Sequence, residues 1–257
     1  MQRQLLSRNP SVQHVVASVR DAIAETAGSE LLGLYVTGSL VAGDFDPNVS
    51  DIDFVAVLAT DPSDELATTL ERMHRRLDRQ NRAWAGRIEV VYVSGARLRT
   101  HDQGIPRMAV ISPGEPLHVL SGGPDWVLTW YPLREEAVAL VGPEIREVVP
   151  LITRNEFLAV VREHLRGIPE WVRDNATRGA IAYAILTTCR GLYTIRLGVR
   201  PSKLEAAKWA MGEFPDWASL IGSALTWRNE QWTNPGTDPA SVTVARQFLR
   251  EAVAEIV

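Results

Sequence analysis

The sequence predicts an α+β protein: an N-terminal domain (residues 1–150) with a small mixed sheet, and a C-terminal all-α helical bundle (residues 151–257). Three observations support this prediction. Short β-branched apolar runs alternate with helix-type patterns in the first part of the chain, and the strand pattern disappears after Pro150. A segment with glycine and proline, residues 142–153, separates the two parts. At 257 residues the chain is long enough for two domains or one large one.

Two helices are predicted in the N-terminal domain. The first has Asn9 as its N-cap and Pro10 at the first helical position, and its valines recur at helical spacing. The second is predicted to start at Asp61-Pro62. Its apolar side, which faces the sheet, consists of Leu66, Leu70, Met73 and Leu77.

Apolar runs predict three strands, at residues 31–37, 52–59 and 87–93. Residues 95–125 contain many glycines and prolines and are predicted to be irregular, with one short strand near His118. Residues 125–141 read as a helix or a helix–strand connection. The order of elements therefore predicts a small mixed sheet.

The C-terminal part shows only helix patterns. Ser or Thr followed three residues later by Glu forms a capping box, and this pattern occurs at Thr153–Glu156 and Ser202–Glu205. Further helices are predicted at residues 177–197, 216–227 and 239–256, the last of them capped by Asp238. These segments predict a bundle of four or five helices.

The most informative segment lies between the first two predicted strands. Gly38-Ser39 closes the first strand, and Asp51 and Asp53 open the second. Residues i and i+2 of a strand project from the same face, so both carboxylates point to one place. Adjacent carboxylates repel each other unless a cation lies between them, and Mg²⁺ commonly takes one or two carboxylates together with substrate phosphates. The Gly-Ser turn offers backbone N–H groups to those phosphates. The segment therefore indicates a nucleotidyl-transfer site.

A third acid, Glu89, lies inside the apolar strand 87–93. It shares one face of that strand with Val91 and Val93. A carboxylate in such a run is costly to bury unless it is paired or holds a metal. The alternative is an edge strand whose second face is open to water. With the two aspartates upstream, we expect Glu89 to converge on the same cation.

The net charge, the cysteine count and the distribution of apolar residues limit the kinds of partner and compartment that we expect. A formal net charge of −4 argues against a general nucleic-acid-binding surface and leaves carboxylates that attract a cationic second substrate. The single cysteine, Cys189, fits a reducing cytoplasm. Residues 1–10 have no apolar signal core, and no stretch reaches a membrane-spanning length. We therefore expect a cytoplasmic protein with neither nucleic acid nor membrane as partner.

The motif residues resemble the signature of the DNA polymerase β-type nucleotidyltransferase superfamily. The residues that carry this resemblance are Gly38-Ser39, Gly43, Ser50-Asp51-Ile52-Asp53 and Glu89. Segments farther along the chain are similar to the streptomycin/spectinomycin adenylyltransferases of that superfamily. They are residues 138–143, 186–193, 201–203 and 206–211.

The resemblance implies roles for eight residues of the catalytic machinery. Asp51, Asp53 and Glu89 would bind Mg²⁺, and Glu89 would also act as the base on the acceptor hydroxyl. The ATP contacts would be made by Ser39, Ser50, Asp125, Arg190 and Lys203.

The acceptor region matches the family less well. Trp171 matches a family tryptophan thought to lie against streptomycin, but the acids expected shortly after it are out of register. Asp174 is the nearest acid that could pair with a cationic group. Two alternatives remain open: Trp171 packs in the core, and Asp174 caps the next helix.

The predicted function is Mg²⁺-dependent transfer of AMP from ATP to a hydroxyl of an aminoglycoside-type antibiotic, spectinomycin or streptomycin or both, conferring resistance. Two alternatives come from other classes. One is a nucleotidyltransferase that acts on RNA or on a protein side chain, although no basic or aromatic RNA platform is present. The other is a binding module that keeps the fold without catalysis, although three intact acids argue against it.

Overall fold

The computed structural model of the chain describes residues 9–100, 104–230 and 239–256. The chain forms two compact units, with the division between Thr153 and Arg154. Strands occur in the first unit, and the described part of the second unit is helical. The predicted α+β class, with a mixed sheet followed by a helical C-terminal region, is confirmed.

The first unit is built on a six-stranded sheet. Its strands are β1 (Leu31–Thr37), β2 (Ile52–Leu58), β3 (Ile88–Ser94), β4 (Ile105–Ile111), β5 (His118–Gly122) and β6 (Val138–Val141). They are ordered β5-β4-β3-β2-β1-β6. β2 and β3 are parallel, and every other neighbouring pair is antiparallel. The two strands that carry the acids therefore lie side by side at the centre of the sheet.

Helices of the first unit connect these strands. They are α1 (Pro10–Ala27), α2 (Ser39–Ala42), α3 (Asp64–Gln80), α4 (Gly95–Arg99), α5 (Val127–Glu136) and α6 (Ile145–Val148). In α1, the Asn9 side chain accepts hydrogen bonds from the Ser11 and Val12 amides, and Pro10 is the first helical residue, as predicted.

Alternate residues of the central strands face opposite layers. Ile52 and Phe54 of β2 and Val90 and Tyr92 of β3 are buried in a core that α1 and α3 help to form. On the other face, Val91 and Val93 are buried as well. The acids Asp53 and Glu89 share this second face with the valines, at the N-terminal ends of their strands.

Three predictions for this unit need correction. β3 is an internal strand between β2 and β4, so the alternative of a wet edge strand for Glu89 is wrong. α3 begins after Ser63, whose hydroxyl accepts the Leu66 amide, and not at Asp61-Pro62. Residues 95–125 contain α4 and β4, which were not predicted, besides the predicted short strand near His118, which is β5. The glycines and prolines of that segment hid β4, because its apolar run is short and interrupted by Pro106 and Arg107.

The second unit contains five described helices. They are α7 (Arg154–Trp171), α8 (Arg178–Leu197), α9 (Lys203–Glu213), α10 (Ala218–Glu230) and α11 (Pro239–Ala254). α8 packs against the four others. It is central because small residues allow close approach: a Cβ on Gly191 would lie 2.6 Å from a methyl carbon of Leu165 on α7.

The predicted caps of α8 and α9 are present. Thr177 accepts the Ala180 amide, Ser202 accepts the Glu205 amide, and Gly198 ends α8 in the left-handed conformation. The predicted cap Asp238 lies outside the described residues. Among the helices of residues 9–100, 104–230 and 239–256, none has the length and apolar character needed to cross a membrane.

Candidate active site

Three carboxylates converge at the N-terminal ends of β2 and β3. Asp51 directly precedes β2, and Asp53 and Glu89 are the second residues of β2 and β3. Because the parallel pair is in register, Asp53 lies directly opposite Glu89. One carboxylate oxygen from each of the three residues lies within 4.8 Å of the other two. All three side chains are half-buried, so a ligand from solvent can reach them.

The electrostatics of this cluster favour a cation. Two unit charges about 4 Å apart repel each other by about 4 kcal/mol at an effective dielectric constant of 20. Three carboxylates in the same place are therefore costly to keep ionised without a positive charge among them. An all-oxygen donor set is the kind that Mg²⁺, Mn²⁺ and Ca²⁺ prefer, so the residues present fit a hard divalent cation.

Gly38 fits closely against this cluster at the end of β1. Its φ is +69° and its ψ is −152°, a combination that side-chain-bearing residues rarely adopt. A Cβ built on Gly38 would lie 1.8 Å from an Asp53 carboxylate oxygen. Two independent reasons therefore require glycine at position 38: the backbone conformation, and the Asp53 carboxylate, which occupies the space of a Cβ.

Ser39 follows as the first residue of α2. Its hydroxyl oxygen is buried and, among the described residues, has no hydrogen-bond partner. A buried hydroxyl without a partner is unfavourable unless a ligand supplies one. Ser39 directly follows Gly38, which itself abuts Asp53, so an unpartnered hydroxyl donor belongs to the residue next to this contact with the acid cluster.

The loop between α2 and β2 carries the other predicted serine. Ser50 is only 3% exposed, and its hydroxyl accepts the backbone amide of Asp46 at 3.1 Å. The Arg87 guanidinium donates to the Ser50 carbonyl. Burial lowers the pKa of Arg87, whereas the negative charges of Asp51 and Asp46 act in the opposite direction. The structure thus gives Ser50 a role in shaping the loop that leads to Asp51.

The remaining predicted nucleotide contacts belong to other elements of the chain. Asp125 is exposed in a turn of 3₁₀-helix, Pro124–Trp126, in the first unit. Arg190 lies on α8 and Lys203 is the first residue of α9, both half-buried in the second unit. Near them, the Tyr193 hydroxyl donates to Glu205 at 3.1 Å and joins α8 to α9. Their roles toward ATP stay predictions.

The predicted acceptor residues lie at the end of α7. Trp171 is 46% exposed and makes an edge contact with His164 at a centroid distance of 4.7 Å, so it is not a core residue. Asp174 forms an ion pair with Arg246 at 2.6 Å. It does not cap α8, whose N-cap is Thr177. Trp171 is thus accessible to a ligand, whereas Asp174 already has a cationic partner within the unit.

Two residues near the acids were not singled out from the sequence. Thr37 pairs with Asp53 across β1 and β2, on the side opposite Glu89. Arg87 lies just before β3 and contacts the loop before Asp51. Arg87 could have been found from its position two residues before Glu89. An arginine next to a buried strand needs hydrogen-bond acceptors, which the neighbouring loop provides.

Comparison with known proteins gives matches to two domain families and to curated relatives. Residues 17–96 match the nucleotidyltransferase domain family, and residues 147–251 match the aminoglycoside adenylyltransferase C-terminal domain family. The chain is similar to an aminoglycoside (3'') (9) adenylyltransferase from Klebsiella pneumoniae, with 27% identity over 224 residues, covering 78% of this chain and 81% of the relative. A relative of the same name from Escherichia coli has the same identity and coverage.

The fold also matches a solved structure. A spectinomycin adenyltransferase from Enterococcus faecialis, crystallised with ATP and spectinomycin, superposes with a TM-score of 0.74. It shares 18% sequence identity, and the match covers 94% of this chain and 99% of that one. The match therefore extends over both units of the fold, as do the two domain families taken together. The acids at the starts of β2 and β3 thus lie in the part of the chain that matches the nucleotidyltransferase domain family, and over both units the chain is similar to aminoglycoside adenylyltransferases.

Proposed function

We propose that this protein transfers AMP from Mg·ATP to a hydroxyl of an aminoglycoside-type antibiotic, and thereby confers resistance. The observation that carries the proposal is the convergence of the Asp51, Asp53 and Glu89 carboxylates within 4.8 Å. The names of the relatives and of the solved neighbour support the choice of nucleotide and of acceptor class. The cysteine usage supports the cytoplasm as the place of action.

Asp51, Asp53 and Glu89 would hold the metal. When bound, Mg²⁺ would neutralise charge on the phosphates and polarise the α-phosphorus toward attack. The unpartnered Ser39 hydroxyl would donate to a phosphate oxygen. Ser50, Asp125, Arg190 and Lys203 complete the set of ATP contacts that the family resemblance assigns.

Glu89 would also act as general base. In the reaction, the acceptor oxygen forms a bond to the α-phosphorus, the bond from the α-phosphorus to the bridging oxygen breaks, and pyrophosphate leaves. Glu89 would take the proton of the attacking hydroxyl. A carboxylate suits this role here because it is half-buried and lies directly opposite Asp53, beside the position where the nucleotide would be held.

The acceptor would lie against Trp171. Its exposed indole offers an apolar face to a sugar ring. Asp174 would have to exchange its partner Arg246 for an ammonium or guanidinium group of the acceptor. Because the acids expected shortly after Trp171 are out of register, we expect streptomycin to be the weaker of the two acceptors.

Pyrophosphate release from Mg·ATP, measured across a panel of aminoglycosides with spectinomycin and streptomycin, tests the proposal. We expect release that depends on acceptor, with spectinomycin the better of the two. Trp171→Ala should raise the KM for the acceptor and leave the KM for ATP unchanged. Release only in the presence of RNA or a protein acceptor, or no release with any acceptor, would contradict the proposed function.

Gly38→Ala is expected to abolish tight divalent-cation binding, because the new Cβ would occupy the position of the Asp53 carboxylate. Gly28 provides a matched control: its φ of 53° and ψ of −128° are similar, but a Cβ there meets nothing within 4 Å. Both variants should lose about 1–3 kcal/mol of folding free energy from backbone strain. Titration with Mn²⁺ should separate them, and equal Mn²⁺ affinity of the two variants would show that Asp53 is not a metal ligand.

A further inference from the structure

The loop before Asp51 is anchored to the turn before β3. Trp84 in that turn is 4% exposed and stacks against Phe45 of the loop, with ring centroids 6.0 Å apart. The Arg87 guanidinium lies over the same indole, 4.6 Å from its centroid. The indole N–H donates to Ser11 of α1 at 3.1 Å, which fixes the ring to the rest of the unit. Trp84 is thus a buried platform that holds both Phe45 and Arg87.

Arg87 contacts the chain on both sides of Asp51. Its guanidinium donates to the carbonyl of Ser50 and, at 2.9 Å, to the carbonyl of Pro47. Its own carbonyl accepts the amide of Ile52 at 2.9 Å. The residues before and after Asp51 are therefore both hydrogen-bonded to one residue.

Arg87 is also close to Glu89 along the chain, two residues before it. Arg87 precedes Ile88, the first residue of β3, and Glu89 is the second. The parallel register brings Asp53 opposite Glu89, but Asp51 lies outside the ladder, just before β2. Without another restraint, the ladder would fix two of the three acids and leave the third on a loop. Arg87 supplies that restraint.

We propose that Arg87 is a positioning residue for the metal site: it holds Asp51 at the distance from Asp53 and Glu89 that a divalent cation requires. This inference rests on the proposed function in one respect, that the three acids bind a metal. Arg87 itself would touch neither metal nor substrate, and it would act through the backbone on both sides of Asp51.

A purely electrostatic role and a positioning role of Arg87 predict opposite changes in metal affinity when Arg87 is replaced. A guanidinium near the carboxylates repels a divalent cation, so a variant without it should bind metal more tightly if the only role of Arg87 were electrostatic. Loss of positioning should weaken binding, because partners that orient metal ligands typically contribute about 10–100-fold to affinity. The sign of the change therefore distinguishes the two roles.

Arg134 offers a matched control. It is also half-buried, its guanidinium donates to the carbonyls of Arg146 and Val149, and its Nε, like that of Arg87, is buried without a partner among the described residues. It holds the segment 146–149, which contains none of the three acids. Arg87→Gln and Arg134→Gln thus remove equivalent hydrogen bonds from two different places.

The test is Mn²⁺ binding to the full chain, followed by electron paramagnetic resonance in the absence of nucleotide and acceptor. We expect Arg87→Gln to weaken Mn²⁺ binding by about 10–100-fold and Arg134→Gln to leave it unchanged. Arg87→Lys, which keeps the charge but not the two-armed donor, should fall between wild type and Arg87→Gln, and it serves if Arg87→Gln does not fold. Unchanged or tighter binding by the Arg87 variants would overturn the proposal.

A second readout separates positioning from a general loss of structure. In a transfer assay, Arg87→Gln should require more Mg²⁺ for half-maximal activity and recover most of its kcat at saturating Mg²⁺. Because a bound metal also stabilises an unstable variant, Arg134→Gln is the control: it loses equivalent hydrogen bonds and should keep the wild-type Mg²⁺ requirement. Since the Mn²⁺ titration involves no acceptor, it remains decisive even if the protein proves to modify a different substrate from the one proposed.

Discussion

Replacing Asp53 by asparagine is expected to abolish Mg²⁺-dependent nucleotidyl transfer while the protein stays folded. The amide keeps the shape of the side chain but removes the charge that holds the metal. The fold should not suffer, because the substitution relieves repulsion among three carboxylates within 4.8 Å. Pyrophosphate release measures the activity, and thermal unfolding measures the stability. We expect the same result for Asp51→Asn.

Asp61→Asn is the matched control for this experiment. Asp61 accepts a hydrogen bond from Ser94 at 2.7 Å and pairs with Arg97, so its charge has favourable partners. That substitution should lower the unfolding temperature and leave transfer intact, the reverse of the pattern at Asp53. Near-normal pyrophosphate release by Asp51→Asn or Asp53→Asn would mean that the metal is not held by the aspartate pair.

Glu89→Gln is expected to lower turnover by a factor of about 10² to 10⁴, the range for a lost general base. ATP binding should weaken much less, because Asp51 and Asp53 still provide two carboxylates to the metal. Single-turnover rates at saturating Mg·ATP, together with calorimetry of ATP binding, measure the two effects separately. If ATP affinity fell in parallel with turnover, Glu89 would be mainly a metal ligand and the base would be a different group.

Local patterns predicted the elements that carry the acids. The i and i+2 spacing of Asp51 and Asp53, and the alternation around Glu89, depend only on the geometry of a strand, which tertiary context does not change. The fact that Asp53 lies opposite Glu89 could not be predicted in this way. It depends on the order and register of β2 and β3, which are far apart in the sequence and are set by the packing of both faces.

Side-chain partners were the hardest feature to predict. Ser50 was expected to contact ATP, but its hydroxyl also accepts the Asp46 amide in a loop with no periodic pattern. Asp174 pairs with Arg246, a residue 72 positions later in the chain. The strand β4 was missed for a related reason. Its centre is buried between β3 and β5, and this pairing outweighs the low strand propensity of a segment containing proline.

The geometry of the acid cluster and the packing of the core both depend on the in-register pairing of β2 with β3. The pairing that places Asp53 opposite Glu89 also places Val55 opposite Val91 in the buried second face. An insertion in the connection between the two strands can lengthen α3 or its turn without moving either acid. A single residue inserted in β3 ahead of Glu89 would instead shift the strand register by one and exchange the two faces of the strand. The Glu89 carboxylate would then leave the cluster and point into the core. Insertions and deletions fixed during the divergence of this chain should therefore accumulate between these strands and not within them.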